Sequence, residues 1–291
     1  MTWLITGADG QLGKSVCEVL KKRNLAYTAW TRSTGEITSE NFVTEILNQR
    51  KPKFLVNCAA WTDVDGAEIN EQEVMKVNRD AVGILSKAAM ESGIKFVHIS
   101  TDYVFSGEKL TPWNLGDKRF PKTVYGKSKV VGEDIALKNF SEGTYIFRTA
   151  WLYSEYGNNF VKSIIRLALT SDAPIRVVND QTGQPTSALD LANRIIDSMD
   201  AQIKPGLYHA TNSGSSTWYE FAEEILTFLN FDLARLEPIS SSEINRAAIR
   251  PRNSVLDQDC WNPTTLKPMR EWRLALQESL PKILEEVRGS L

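Results

Sequence analysis

The chain predicts an α/β fold: a doubly wound parallel sheet carrying a smaller C-terminal region. Through the first 150 residues short apolar runs alternate with amphipathic segments, the pattern of strand and crossover helix. A glycine-rich turn, Thr6-Gly7-Ala8-Asp9-Gly10-Gln11-Leu12-Gly13, lies between the first such run and the first amphipathic segment. After Ala150 the alternation loosens, yet no Pro/Ser linker or internal repeat interrupts the chain.

The elements follow in order. Thr2–Thr6 reads as a strand and Gly13–Arg23 as a helix, with Val16, Val19 and Leu20 on one face. Leu25–Thr31 is a second strand and Ser39–Gln49 a helix. Phe54–Ala59 is a third strand, apolar enough to be buried on both sides. One long helix is predicted over Glu71–Ser92, a fourth strand over Lys95–Ser100 and a fifth over Thr144–Thr149. Between the last two, the Gly-, Pro- and charge-rich loop Ser106–Lys122 leads into a helix holding Tyr125 and Lys129. Further on, Pro174–Val178 and Gly206–Ala210 read as strands. Asn159–Leu169, Ala188–Met199, Thr217–Leu229 and Arg273–Arg288 read as helices. Residues 1–150 are expected to form a dinucleotide-binding unit of Rossmann type. Residues 151–291 are expected to be mainly a substrate-binding region, with a stretch at about 175–205 returning to the first unit.

Composition narrows the function classes. A net charge of −2 with scattered basic residues gives no electrostatic reason to expect nucleic acid or an anionic membrane. Cys17, Cys58 and Cys260 are odd in number and far apart, so neither a disulfide framework nor a zinc site is indicated. No uncharged apolar stretch approaches the roughly 20 residues of a membrane span. A strand beginning at residue 2 leaves no room for a signal peptide, and a cytoplasmic location is expected. With only His98 and His209 present, a histidine metal site or a Ser-His-Asp hydrolase is disfavoured; His98 is expected to be a satisfied strand residue. No metal is called for.

Gly7, Gly10 and Gly13 have the spacing a dinucleotide needs. One glycine makes the tight turn, the next admits a pyrophosphate to the backbone, and the third lets helix and strand pack closely. Asp9, Gln11 and Leu12 belong to the same cofactor-binding turn. At the end of the second strand, where an acidic residue would bind the adenosine ribose, stands Thr31-Arg32-Ser33. Arg32 beside a 2′-phosphate favours NADPH; Glu36, close by, leaves NADH open.

Tyr125 and Lys129 sit one helical turn apart and share a face. A free tyrosine titrates at about 10, and a neighbouring ammonium is expected to bring it toward neutral pH. Thr101 ends the fourth strand, where ligands gather in open α/β sheets. The combination points to carbonyl reduction.

The glycine turn, Asn57-Cys58-Ala59-Ala60, Asn78 and the Tyr125/Lys129 pair, in that order, resemble the extended short-chain dehydrogenase/reductases. Within them the chain is similar to the C4 reductases of dTDP-linked 4-keto-6-deoxysugars. The signs are Ser100-Thr101-Asp102-Tyr103-Val104-Phe105-Ser106-Gly107, Tyr125-Gly126-Lys127-Ser128-Lys129 with Gly132-Glu133, and Arg148-Thr149-Ala150-Trp151-Leu152-Tyr153. Gly157-Asn158-Asn159-Phe160, Asp180-Gln181-Thr182-Gly183-Gln184-Pro185-Thr186 and Arg250-Pro251-Arg252-Asn253-Ser254 complete the set. The Asp-Glu pair of related dehydratases is replaced here by Asp102-Tyr103, which favours reduction over water elimination.

The resemblance implies reduction of dTDP-4-dehydro-L-rhamnose to dTDP-L-rhamnose. It leaves two alternatives: another nucleotide-linked 4-keto-6-deoxysugar, or a non-catalytic regulatory subunit. Tyr125 would protonate the alkoxide, Lys129 would tune Tyr125 and bind the nicotinamide ribose, and Thr101 would hydrogen-bond the reacting oxygen. Asp102, Tyr103, Trp151, Asn159 and Arg250 would bind substrate, and Arg250 and Arg252 are candidates for its pyrophosphate. Ser100, Ala59, Ala60 and Thr62 would join the cofactor site, with Asn57 and Asn78 as supports or water relays. Trp61, Asp63 and the segment Glu36-Ile37-Thr38-Ser39 depart from the family pattern, and a homodimer is the partner left open.

Overall fold

A computed structural model describes residues 2–291. Six parallel strands form the central sheet: β1 (Thr2–Thr6), β2 (Ala26–Trp30), β3 (Phe54–Asn57), β4 (Lys95–Thr101), β5 (Thr144–Thr149) and β6 (Gly206–His209). Their order across the sheet is β6–β5–β4–β3–β1–β2, and every neighbouring pair is parallel. Strand order reverses between β1 and β3, so the crevice above their C-terminal ends is where a ligand belongs.

Alternate residues of each strand point to opposite faces, and both faces are covered. On one, Trp3, Ile5, Val56 and Val97 pack against α1 (Gln11–Lys22) and the later helix Ala188–Asp200. On the other, Leu4, Leu55, Phe96 and Ile146 meet residues of α2 (Glu40–Arg50), α3 (Ala81–Glu91) and α4 (Val124–Phe140). This two-sided burial explains why the third strand reads as a continuous apolar run, and why all six residues of β5 are buried, Arg148 included.

A second core gathers α5 (Phe160–Thr170), α7 (Trp218–Phe228) and α8 (Trp272–Gly289), with α6 the name kept for Ala188–Asp200 on the first face. Tyr153, Ile165, Phe221, Trp272 and Leu276 are buried there. A two-stranded parallel sheet, Ile175–Val178 with Leu236–Ile239, flanks it. Of the stretch expected to return to the sheet, α6 packs on α1, whereas Ile175–Val178 stays with the second core.

Two local differences from the sequence reading bear on the site. The long helix foreseen over 71–92 is interrupted: Glu71–Met75 and α3 are joined by a π-helical turn, Lys76–Asp80. No proline or glycine signals it, because the extra residue per turn is set by what the turn packs against. Gly132 of α4 lies so close that a Cβ there would come within 2.3 Å of the Asn78 carbonyl oxygen. The strand β3 stops at Asn57, two residues early, freeing Ala59 and Ala60 to line the crevice. Among the described residues no helix is long and apolar enough to cross a membrane.

Candidate active site

The glycine turn has the shape its spacing implies. Gly7 has φ +60°, and a Cβ on it would lie 2.7 Å from the Ala59 backbone nitrogen. A Cβ on Gly13 would lie 2.1 Å from the Gly7 carbonyl oxygen, so strand and helix meet only because both positions are glycine. Gly10 occupies the N-cap of α1 without any side-chain hydrogen bond, which leaves the first amides of a 12-residue helix open toward the crevice. Asp9 and Gly10 are exposed, and Leu12 is buried beneath the turn. Gln11 does something the spacing did not foretell. Its Oε1 accepts from Asn159 Nδ2 at 3.0 Å and from Ser154 Oγ at 3.2 Å, tying the turn to the second core.

Tyr125 is the second residue of α4, inside the first turn, where the Thr123 hydroxyl accepts from the Gly126 amide as the cap. Burial pushes its phenol up to about 12, a hydrogen bond with Thr101 pulling the other way and the Asp102 charge adding to the rise. The Thr101 hydroxyl donates to Asp102 Oδ1 at 2.8 Å and accepts from the Tyr103 amide at 3.2 Å. Burial raises Asp102 to about 6 against that hydrogen bond. The rings of Tyr103 and Tyr125 meet edge to face at 5.7 Å. Asp102, foreseen as a sugar contact, is therefore buried behind Thr101 and holds its hydroxyl.

Lys129 does not lower Tyr125 as the sequence suggested. Its Nζ turns down over the sheet, donating to the Ile99 carbonyl at 2.6 Å and lying 3.4 Å from His98 Nε2. Burial depresses it to about 8, and the Glu133 charge opposes that shift. Burial works against ionised Glu133, yet two hydrogen bonds from Arg148, at 2.8 and 2.7 Å, hold its carboxyl below the usual range. Ser100 is buried on this same side of the sheet, beside Glu133. Asn78, from the π-turn, accepts from the Trp61 amide and donates to Ser128 Oγ, pinning the loop after β3 to α4. Ala59 and Ala60 are half-buried in that loop, and Thr62 is exposed.

The remaining candidates fall into three groups. Trp151 takes a left-handed backbone, φ +46°, and its indole stacks on Trp218 with centroids 3.5 Å apart. Gly183 lies against the same indole, so both rings form a wall. Asn159 caps α5 through the Lys162 amide, and its Nδ2 is spent on Gln11 and the Ser154 carbonyl. Arg250 pairs with Asp65 at 2.6 Å and lines a cleft of about 410 Å³ with Arg246, Arg252, Lys122 and Gln181. Glu108 also lines it, paired with Lys122, so the cleft's excess positive charge comes from Arg246 and Arg252, which suit an anion. Arg32 and Glu36 are exposed just beyond β2.

Residues 1–285 match the family described as RmlD substrate binding domain. The chain belongs to that family. A dTDP-4-dehydrorhamnose reductase of Streptomyces griseus is 41% identical over 285 residues, 97% of this chain and 93% of the relative. A solved dTDP-4-dehydrorhamnose reductase of Clostridium acetobutylicum superposes with TM-score 0.92 at 39% identity, covering 97% of this chain and 99% of the other. One from Bacillus anthracis, solved in complex with NADP, gives TM-score 0.92 at 33% identity over the same shares.

As an RmlD-family member the chain has the parts to hold a nicotinamide dinucleotide: a cradle that only glycine permits at Gly7 and Gly13, and uncapped amides at α1. Sequence reasoning missed Trp218 and Asp65, partners supplied from distant segments. Trp218 opens α7 behind a Thr217–Glu220 capping box, a signal for a helix start but not for a partner 67 positions upstream. Among the described residues no group of three or more His, Cys, Asp or Glu side chains is gathered to hold a metal.

Proposed function

We propose that this chain reduces the C4 ketone of dTDP-4-dehydro-L-rhamnose to dTDP-L-rhamnose with NADPH, as a cytoplasmic enzyme. The carrying observation is the meeting of Tyr125, Thr101 and Asp102 at the C-terminal end of β4, on the sheet edge that also carries the glycine turn after β1. NADPH, when bound, supplies the hydride for C4. The amides of α1 behind exposed Gly10 would receive its pyrophosphate, and Arg32 its 2′-phosphate.

Tyr125, fully protonated at neutral pH, is placed to give its proton to the oxygen at C4. An alkoxide is basic enough to take it. Thr101 rests with its hydrogen on Asp102 Oδ1; rotation of that hydroxyl would offer a second donor to the reacting oxygen as charge develops. Lys129 keeps a positive charge beneath the pair and would hydrogen-bond the nicotinamide ribose. Residues 151–291 would hold the nucleotide-sugar, with Arg246, Arg250 and Arg252 at its pyrophosphate and the Trp151–Trp218 wall beside the sugar.

The test supplies dTDP-4-dehydro-L-rhamnose with NADPH deuterated at the transferable position. The expected product is dTDP-L-rhamnose carrying deuterium at C4; no turnover with either NADPH or NADH contradicts the reading. Arg32→Ala should raise KM for NADPH about tenfold, the worth of one charge-assisted contact, and leave NADH unchanged. Equal losses for both cofactors would remove Arg32 from that role.

A further inference from the structure

Beneath the site, three polar side chains cross the middle of an otherwise apolar sheet. Thr6, Asn57 and His98 are register partners on β1, β3 and β4, so their side chains stand in one row on the face that α4 covers. All three are buried to within 1% of full, and the row ends at Lys129, itself 2% exposed. Thr6 Oγ1 lies 2.6 Å from Asn57 Oδ1, Asn57 Nδ2 lies 3.1 Å from His98 Nδ1, and His98 Nε2 lies 3.4 Å from Lys129 Nζ. At its far end Thr6 Oγ1 also accepts from the Ala59 amide at 3.4 Å, in the crevice loop. Buried polar groups at the centre of a sheet are costly unless each is satisfied, and here each satisfies the next.

The heavy-atom positions admit two hydrogen-bond settings, because an amide's oxygen and nitrogen and an imidazole's two nitrogens exchange roles without moving the chain. In one, Asn57 donates to a bare Nδ1 and the His98 proton sits on Nε2, facing Lys129; this suits a neutral amine. In the other, His98 donates from Nδ1 to the Asn57 oxygen, the Asn57 amine turns to the Thr6 hydroxyl, and bare Nε2 accepts from Lys129. Only this second setting suits an ammonium.

We propose that His98 is a positioning residue for Lys129: in the resting enzyme its Nε2 accepts a hydrogen bond from the Lys129 ammonium, and the Thr6–Asn57–His98 row flips when that ammonium loses its proton. The inference rests on the role given to Lys129 above. The charged and titratable neighbours are few. Lys129 faces Glu133 on its own helix, whose charge favours the ammonium, and His98 faces no charge except Lys129. Burial, reinforced by the Lys129 charge, keeps the His98 ring neutral, so it acts as an acceptor and never as a second cation. The Ile99 carbonyl fixes where the ammonium sits; His98 adds the acceptor that offsets part of its desolvation.

The first experiment is nitrogen NMR of the full chain labelled with ¹⁵N-histidine, without cofactor or substrate. The chain has only two histidines, and the spectrum of His98→Gln assigns them. The expected result at neutral pH is a His98 ring protonated at Nδ1, moving toward the Nε2–H form as pH passes about 8, where Lys129 titrates. A ring already in the Nε2–H form at neutral pH, or one that becomes an imidazolium there, overturns the proposal. This readout needs no turnover, so it stands apart from the fate of the proposed reaction.

The second experiment compares pH profiles of kcat. His98→Leu, which removes the acceptor, should move the alkaline limb down by about one pH unit, a tenfold change in the proton equilibrium. His98→Gln, whose amide oxygen reaches the Nε2 position, should return most of that shift. A uniform loss across all pH values in both variants, with the limb unmoved, is the mark of a merely structural residue and contradicts the proposal.

Discussion

Tyr125 and Lys129 are four residues apart on one helix, yet they occupy opposite kinds of surroundings. Tyr125 stands at the mouth, where Thr101 and Asp102 close β4 and the crevice opens. Lys129 reaches back over the sheet to a strand carbonyl and a buried histidine. Burial acts on both in opposite charge senses, holding the phenol protonated and weakening the ammonium. The difference teaches that a shared helical face does not make a direct proton pair. In the proposed reaction the mouth would handle the proton, and the row beneath would set the charge that backs it.

The largest test of that division is Thr101→Val. Removing the hydroxyl that contacts Tyr125 should lower kcat about a hundredfold, the usual cost of one preorganised donor, and leaving buried Asp102 Oδ1 without its donor should cost about 1–3 kcal/mol of stability as well. A loss confined to stability would move Thr101 from the mouth's chemistry to its scaffolding.

Next is Asp102, whose carboxyl burial raises from the usual 3.8 to about 6. A raised folded value means stability that is fully present below the unfolded value and lost as pH climbs through the folded one. Between about pH 4 and 7 the parent should therefore lose about 3 kcal/mol relative to Asp102→Asn, two pKa units at 1.36 kcal/mol each. Unfolding by denaturant at several pH values reads this directly, and parallel curves for parent and variant would place Asp102 in a wetter setting.

The smallest effect belongs to the row's middle. Asn57→Ala leaves Thr6 and His98 short of a partner and should cost about 1–3 kcal/mol of stability, while kcat at neutral pH stays within a few-fold. A large drop in kcat without loss of stability would bring Asn57 up into the mouth.

Much of this is legible in the sequence alone, for a physical reason. Strand–helix alternation, the glycine turn and the Tyr125/Lys129 spacing are local patterns, and local patterns survive in a linear sequence. What was hidden depends on contacts between distant segments. The π-turn at Lys76–Asp80 follows from the approach of Gly132, some fifty positions away. Trp151 meets Trp218, and Asn159 spends its amide on Gln11 rather than facing a ligand. Asp102 pointed inward because Thr101 starts a short 3₁₀ turn, which re-aims the residues after β4. His98 read as an ordinary strand residue; only the register of three strands shows that it ends a row at Lys129.

The central claim is that Tyr125 is the proton donor for the C4 oxygen. Its most direct test is Tyr125→Phe, assayed with dTDP-4-dehydro-L-rhamnose while NADPH binding is followed by fluorescence. The account predicts a fall in kcat of about 10² to 10⁴, the worth of a positioned general acid, with cofactor affinity nearly unchanged. Turnover within a few-fold of the parent would contradict it.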